Sequence, residues 1–157
     1  IFPLSNPPYK AECRARDAYK WSDGKCIFAS GSPFDPVEFN GKRFRPAQCN
    51  NFYAFPSIGL AALVCKAKTI TDEMLFVAAQ ALAQSVSDSD LSDGRIFPPV
   101  KEIPRVSREI AFAVAKQAWK QGVAKLPPFS SDDELREAIR SRFWNPAYGS
   151  LVRVDSI

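Results

Sequence analysis

The 157 residues contain no histidine. That absence removes any Ser-His or Cys-His nucleophile pair from within the chain. Closely spaced glycines are missing too. The seven are Gly24, Gly31, Gly41, Gly59, Gly94, Gly122 and Gly149, and no two lie within three residues of each other. A dinucleotide or phosphate loop needs such spacing to bring the backbone against phosphate, so no GxGxxG or P-loop exists here. No apolar run reaches the about 20 residues that span a bilayer, so no membrane partner is expected. Net charge is small, +4 from 21 Lys and Arg against 17 Asp and Glu. Residues 1–68 hold 10 of the 21 Lys and Arg but 5 of the 17 Asp and Glu. The surplus suits a small anionic ligand and is too scattered to form a nucleic-acid footprint.

Cysteine is sparse as well. Cys13, Cys26, Cys49 and Cys65 form no CxxC pair. Spread in this way they argue against structural zinc and read as reduced thiols of an intracellular protein. The chain opens on "IFPLSNPPYK", with neither a methionine nor a signal-peptide pattern, and reads as a piece of something longer.

What is present reads as strands and turns first, helices afterwards. Residues 10–21 are a short helix candidate. Cys26, Ile27 and Phe28 look like a buried strand ended by Ser30, Gly31 and Pro33. Asn40-Gly41 suits a type I′ turn joining Val37–Phe39 to Lys42–Arg45. The uncharged stretch Phe52–Cys65 predicts a buried helix over about 57–65. Thr71 caps a predicted helix over 72–86, with Asp72 and Glu73 in its first turn. Met74, Val77, Ala78, Ala81 and Leu82 mark its apolar face. "SDSDLSDGRIFPP" reads as a solvated loop. Its Asp88, Asp90 and Asp93 fail the calcium-loop pattern, because Asp93 stands where Gly is required and Pro99 where Glu is. Pro104 suits the first turn of a helix over 104–121 that stops at Gly122. Ser131 and Glu134 form a capping box for a helix over 132–143, and Pro146 blocks its continuation. A tail from residue 147 follows.

Three polar turns each follow an apolar segment: Ser5-Asn6 in "LSNPP", "ASGSPFDP", and Asn50-Asn51 in "QCNNFY". Each alone suits a turn. Together they fit one crevice, since open α/β sheets bind ligands at the carboxyl ends of their strands. Asn amides offer donors and acceptors without charge, which suits a carboxylate or carboxamide ligand.

At this point the residues resemble a family. "IFPLSNPPYKAEC", "FASGSPFDPV", "GKRFRPAQCNNFYAFPSIGLA", "TITDEMLFVAAQALA", "GRIFPPVKEIPRVSREIAFAVAKQA" and "FWNPAY" are similar, in order and spacing, to the C-terminal third of malic enzymes. The resemblance implies an α/β chain: the end of a Rossmann-like NAD(P)-binding domain over 1–50, a helical segment closing the cleft over 51–122, and a C-terminal helix and tail over 123–157. It implies oxidative decarboxylation of L-malate to pyruvate and CO2, with NAD or NADP and with Mg or Mn. It implies a homo-oligomer, and leaves cytoplasm and mitochondrion both open. Asn6 and either Asn50 or Asn51 are expected to hold malate, and Ser5 and Asn6 to border the cofactor.

The family's acid/base Tyr and Lys, its acidic metal ligands and its glycine loop precede this region. Tyr9, Tyr19, Tyr53 and Tyr148 do not sit in its catalytic Tyr motif. No catalytic residue or metal ligand is therefore expected here, and the chain alone is expected to be inactive. Two positions depart from the family pattern. Cys49 stands where Gly is usual, which predicts a shifted turn if the site needs φ > 0. Pro8 stands beside Asn6 where Ser or Thr is usual. The alternative is a non-catalytic interaction or regulatory module derived from a malic enzyme.

Overall fold

The computed structural model describes residues 1–144. Pro146, Tyr148, Gly149 and the predicted tail lie outside the described residues.

The first third is built on a small parallel sheet. Strand β1 (Ala29–Ser30) pairs in parallel with β4 (Ala47–Gln48), placing Ala29 opposite Ala47 and Ser30 opposite Gln48. Residues 1–4 run along the other side of β1. Ala29 N–H donates to Ile1 O at 3.3 Å and Gly31 N–H to Pro3 O at 3.0 Å. The advance of two residues on both sides is that of a parallel ladder. It stays incomplete because Pro3 has no N–H to return to β1. Three chain segments therefore run side by side in one direction, with β1 in the middle. The predicted strand over Cys26–Phe28 lies too early. Phe28 is buried but Ile27 is 55% exposed, and the regular strand begins at Ala29, although Ile27 O already accepts from the Ile1 amine at 2.7 Å.

Helix α1 (Ala15–Trp21) and a hairpin cover this sheet. α1 is shorter than the predicted 10–21: Lys10 closes a separate 3-10 turn, Pro8–Lys10, and the chain runs extended at Ala11 and Arg14 before the helix starts. The hairpin joins β2 (Val37–Phe39) to β3 (Lys42–Phe44), and Asn40 and Gly41 both carry the positive φ of a type I′ turn, 49° and 72°. Tyr19 stacks on Phe44 with ring centroids 4.3 Å apart, and Phe28 closes the cluster.

The remainder is helical: α2 (Phe55–Cys65), α3 (Asp72–Gln84), α4 (Asp88–Ser92), α5 (Ile103–Lys120) and α6 (Asp132–Arg142). α5 is the central element. Val106, Ile110, Ala111, Val114, Ala115 and Ala118 recur at helical spacing and are all buried. They pack against α2, α3 and α6, with Val64, Met74, Leu135 and Ile139 facing them. Thr71 accepts from Met74 N–H, as its capping role predicts. Ser131 accepts from Glu134 N–H, while the Glu134 carboxylate reaches Ser130 N–H, one residue beyond the usual capping box.

α4 corrects the expected solvated loop. Ser87 caps a five-residue helix by accepting from Asp90 N–H at 3.1 Å, and its hydroxyl donates to Asp90 Oδ2 at 2.7 Å. Three serines and three aspartates over residues 87–93 hide a cap inside a composition that favours loops. Among the described residues no helix is long and apolar enough to cross a membrane.

Candidate functional site

The parallel arrangement brings three carboxyl-terminal strand ends to one side of the sheet. There Leu4, Asn6, Cys49, Asn50 and Asn51 line an open cleft of about 320 Å³. Asn6 follows the first extended segment, Gly31 and Ser32 follow β1, and the asparagine pair follows β4. Asn6 and Asn50 are 44 residues apart in the chain. Only the parallel pairing of their strands brings them together.

The backbone at this end is tightly packed. A Cβ on Gly31 would lie 2.2 Å from Leu4 O, so only glycine lets the first segment pass β1 here. Gly31 O accepts from Asn50 Nδ2 at 3.1 Å and from Gln48 Nε2 at 3.3 Å. Asn50 Oδ1 accepts from Phe52 N–H at 3.2 Å, capping the 3-10 turn Asn51–Tyr53. Both ends of the Asn50 amide are thus engaged within the protein. Asn51 differs: it is exposed, and its side chain has no hydrogen-bond partner among the described residues. The Asn pair, indistinguishable in sequence, divides into one amide that shapes the turn and one that is open to the cleft.

Tyr53 anchors this turn to the helical core. Its ring is fully buried and its hydroxyl donates to Pro98 O. Burial pushes its phenol up to about 12, so it remains a neutral donor at ordinary pH.

Asn6 is exposed to the cleft and held from behind. Ser32 Oγ donates to Asn6 Oδ1 at 2.6 Å, and the Asn6–Pro7 peptide is cis. Ser5 does not join the cleft lining. Its hydroxyl and its backbone N–H both donate to Glu12, at 2.7 and 3.3 Å, which lowers the Glu12 carboxyl below its usual range. Cys49 does not carry a positive φ, so the turn shift expected from replacing glycine is not needed. Its N–H donates to Ser30 O at 2.8 Å and prolongs β4 by one residue. Burial pushes its thiol up, which keeps it neutral.

The cleft is therefore lined by neutral groups, and its open polar atoms are amides. Among the described residues no three Cys, Asp or Glu side chains meet to hold a metal ion. A larger cleft of about 450 Å³ lies near α4, lined by Arg45, Arg95, Lys101 and Arg105 with Asp90 and Glu102. Three of its four cations are already paired: Arg45 with Asp93 at 3.4 Å, Arg95 with Asp90 at 3.2 Å and Arg105 with Glu102 at 3.0 Å.

A family model described as "Malic enzyme, NAD binding domain" matches residues 1–119, a span that runs through both the sheet and the first helices. The chain is 49% identical to the NADP-dependent malic enzyme of Dictyostelium discoideum over 148 residues, which are 94% of this chain and 27% of that protein. It is 48% identical to the NAD-dependent malic enzyme of Edwardsiella ictaluri over 155 residues, 99% of this chain and 27% of that protein. Among solved structures, the malic enzyme of Entamoeba histolytica superposes with a TM-score of 0.70 at 26% identity, covering 90% of this chain and 26% of that one. The malic enzyme of Pyrococcus horikoshii gives a TM-score of 0.65 at 30% identity, covering 90% of this chain and 28% of that one. The chain spans about a quarter of the length of the curated relatives it matches, 27% in each case. Shared sequence over nearly its whole length and shared fold lead to one conclusion: the chain belongs to the malic enzyme family.

Proposed function

We propose that this chain forms the substrate-orienting part of an enzyme that converts L-malate to pyruvate and CO2 with reduction of NAD or NADP. The single observation that carries the reading is the meeting of Asn6, Asn50 and Asn51 at the carboxyl ends of three parallel segments in a malic-enzyme chain. That is where open α/β sheets hold their ligands.

The chemistry assigned to the chain is orientation. Malate is a dicarboxylate. An amide N–H donating to a carboxylate is a charge-assisted bond, of about 1.5–3 kcal/mol. Asn51 and the Nδ2 of Asn6 are the open donors, and they would hold a carboxylate without adding charge to the cleft. Asn50 instead keeps the 3-10 turn, and with it Asn51, in place. By family resemblance, the acid/base, metal-binding and pyrophosphate-binding groups of the reaction belong to parts of the enzyme other than this chain. Family membership also supports a homo-oligomer that works with Mg or Mn.

The test is malate-dependent NAD(P)H formation by the full protein with Mn, comparing three substitutions. Asn51→Ala and Asn6→Ala are expected to raise KM for malate, or lower kcat/KM, by about 10-fold or more each. KM for the nucleotide should stay near its starting value. Asn50→Ala is expected to lower stability by about 1 kcal/mol, as loss of a cap does. Unchanged malate kinetics in both Asn6→Ala and Asn51→Ala would remove these amides from the site. A wild-type protein with no malate-dependent turnover would favour the non-catalytic module instead.

A further inference from the structure

The Gly31-Ser32-Pro33 turn does more than end β1. Ser32 is 3% exposed, and its hydroxyl donates to Asn6 Oδ1 at 2.6 Å. Its own carbonyl is fixed in turn by the fully buried Ser30, whose Oγ donates to it at 2.7 Å. Pro33 restricts the Ser32 backbone to extended conformations. Gly31, beneath them, lies so close to the first segment that a Cβ would also come within 3.1 Å of Asn6 Nδ2. The serine is held on every side, and its free hydroxyl is spent on one atom of one cleft amide.

An asparagine amide is two-faced, with an acceptor at one end and two donors at the other. Unrestrained at a cleft edge, it can turn either face to a ligand. Ser32 takes one lone pair of Oδ1 and turns that end toward itself, while Nδ2 has no partner among the described residues.

We propose that Ser32 is a positioning residue: by donating to Asn6 Oδ1 it holds the amide with its NH2 end toward the cleft, so that the cleft offers donors and selects a carboxylate. This rests on the assignment of Asn6 to the substrate cleft. Ser32 itself touches no substrate and acts only through Asn6.

A double-mutant cycle in the full protein separates this role from simple structural support, because residues acting through one another do not add. In the wild-type background Ser32→Ala is expected to raise KM for malate by about 10-fold, with KM for the nucleotide unchanged. In the Asn6→Ala background the same substitution should change KM for malate less than about 2-fold, there being no amide left to orient. Equal factors in both backgrounds would overturn the proposal.

Asn6→Asp supplies a second readout that does not depend on Ser32→Ala folding. The replacement is nearly isosteric and keeps an oxygen for Ser32. It puts a carboxylate oxygen where the NH2 group was, so malate should bind more weakly than in Asn6→Ala. An Asp variant that binds malate as well as wild type would also overturn the proposal. Failure of the underlying cleft assignment looks different: Asn6→Ala alone would then leave malate kinetics untouched.

Discussion

The sheet-side core and the helical core are packed on opposite terms. The first buries Ala15, Ala18, Tyr19, Phe28 and Phe44, and its volume comes from aromatic rings. Among the described residues the second buries fourteen, of which Ala61, Ala78, Ala111, Ala115 and Ala118 are small and let α2, α3 and α5 approach closely. Aromatic packing tolerates short, irregular elements, since a few large rings fill the gaps between two-residue strands. Close helix packing needs long, regular elements, and α5 supplies eighteen residues of one. The cleft lies where the two meet. Asn6 and Ser32 belong to the sheet side, while Asn51 sits on a turn anchored through Tyr53 in the helical core. The proposed orientation of a ligand by both amides therefore draws on two differently built halves.

The comparison can be broken most directly at Ile110, a fully buried residue of α5. Ile110→Ala should cost about 2–5 kcal/mol, from lost transfer energy and the cavity left behind. Amide hydrogen exchange reads where the loss falls. Helical-core amides should lose that much protection, while Ala47 and Cys49 in the sheet lose less. An equal loss in both halves would show one cooperative unit in place of two.

Gly31→Ala attacks the other half. Its Cβ would meet Leu4 O at 2.2 Å, and that oxygen belongs to backbone that cannot swing aside. The cost should reach about 3 kcal/mol, at the top of the usual range for overpacking. It should fall on residues 1–4 and β1, visible as lost protection of the Ala29 and Gly31 amides. A Gly31→Ala protein with wild-type stability would show that the first segment adapts freely.

The smallest effect is alkaline, and each core has its own reporter. Burial pushes Tyr19 and Tyr53 up to about 12 from an ordinary 10.0. A phenol whose folded pKa is raised keeps its proton longer when folded. Both contributions are thus fully present below about pH 10 and are lost as pH rises from there through about 12. Thermal melts across that window should fall more steeply for wild type than for Tyr19→Phe or Tyr53→Phe. Parallel curves for all three proteins would mean that neither phenol is protected.

Both halves leave apolar side chains in solvent. Phe2 and Leu4 flank the sheet, and Phe55, Leu63 and Phe76 project from α2 and α3. Such surfaces favour association with another apolar protein surface.

The helices were the most legible part of the chain. α3, α5 and α6 each announce themselves by a cap or an early proline together with an apolar stripe at helical spacing, and they lie within about two residues of their predicted bounds at each end. Asn40-Gly41 likewise named its own hairpin. The strands were less legible. β1 begins at Ala29, beyond the apolar run Cys26–Phe28, because a two-residue parallel strand is defined by its neighbours. α4 was missed because Ser87 and Asp90 are turn formers as well as cap formers.

By itself the sequence determined the family, the helical architecture and the candidate amides, since motif order, helical periodicity and polar turns are local properties. It could not divide the labour among those amides. That Asn50 is spent on Gly31 and Phe52, that Asn51 stays open, and that Ser32 holds Asn6 from 26 residues away was decided by tertiary structure alone. The physical reason is that a hydrogen bond between strand ends depends on which segments pair and in what register, and although Gly31 marks the close passage, no residue names its partner strand.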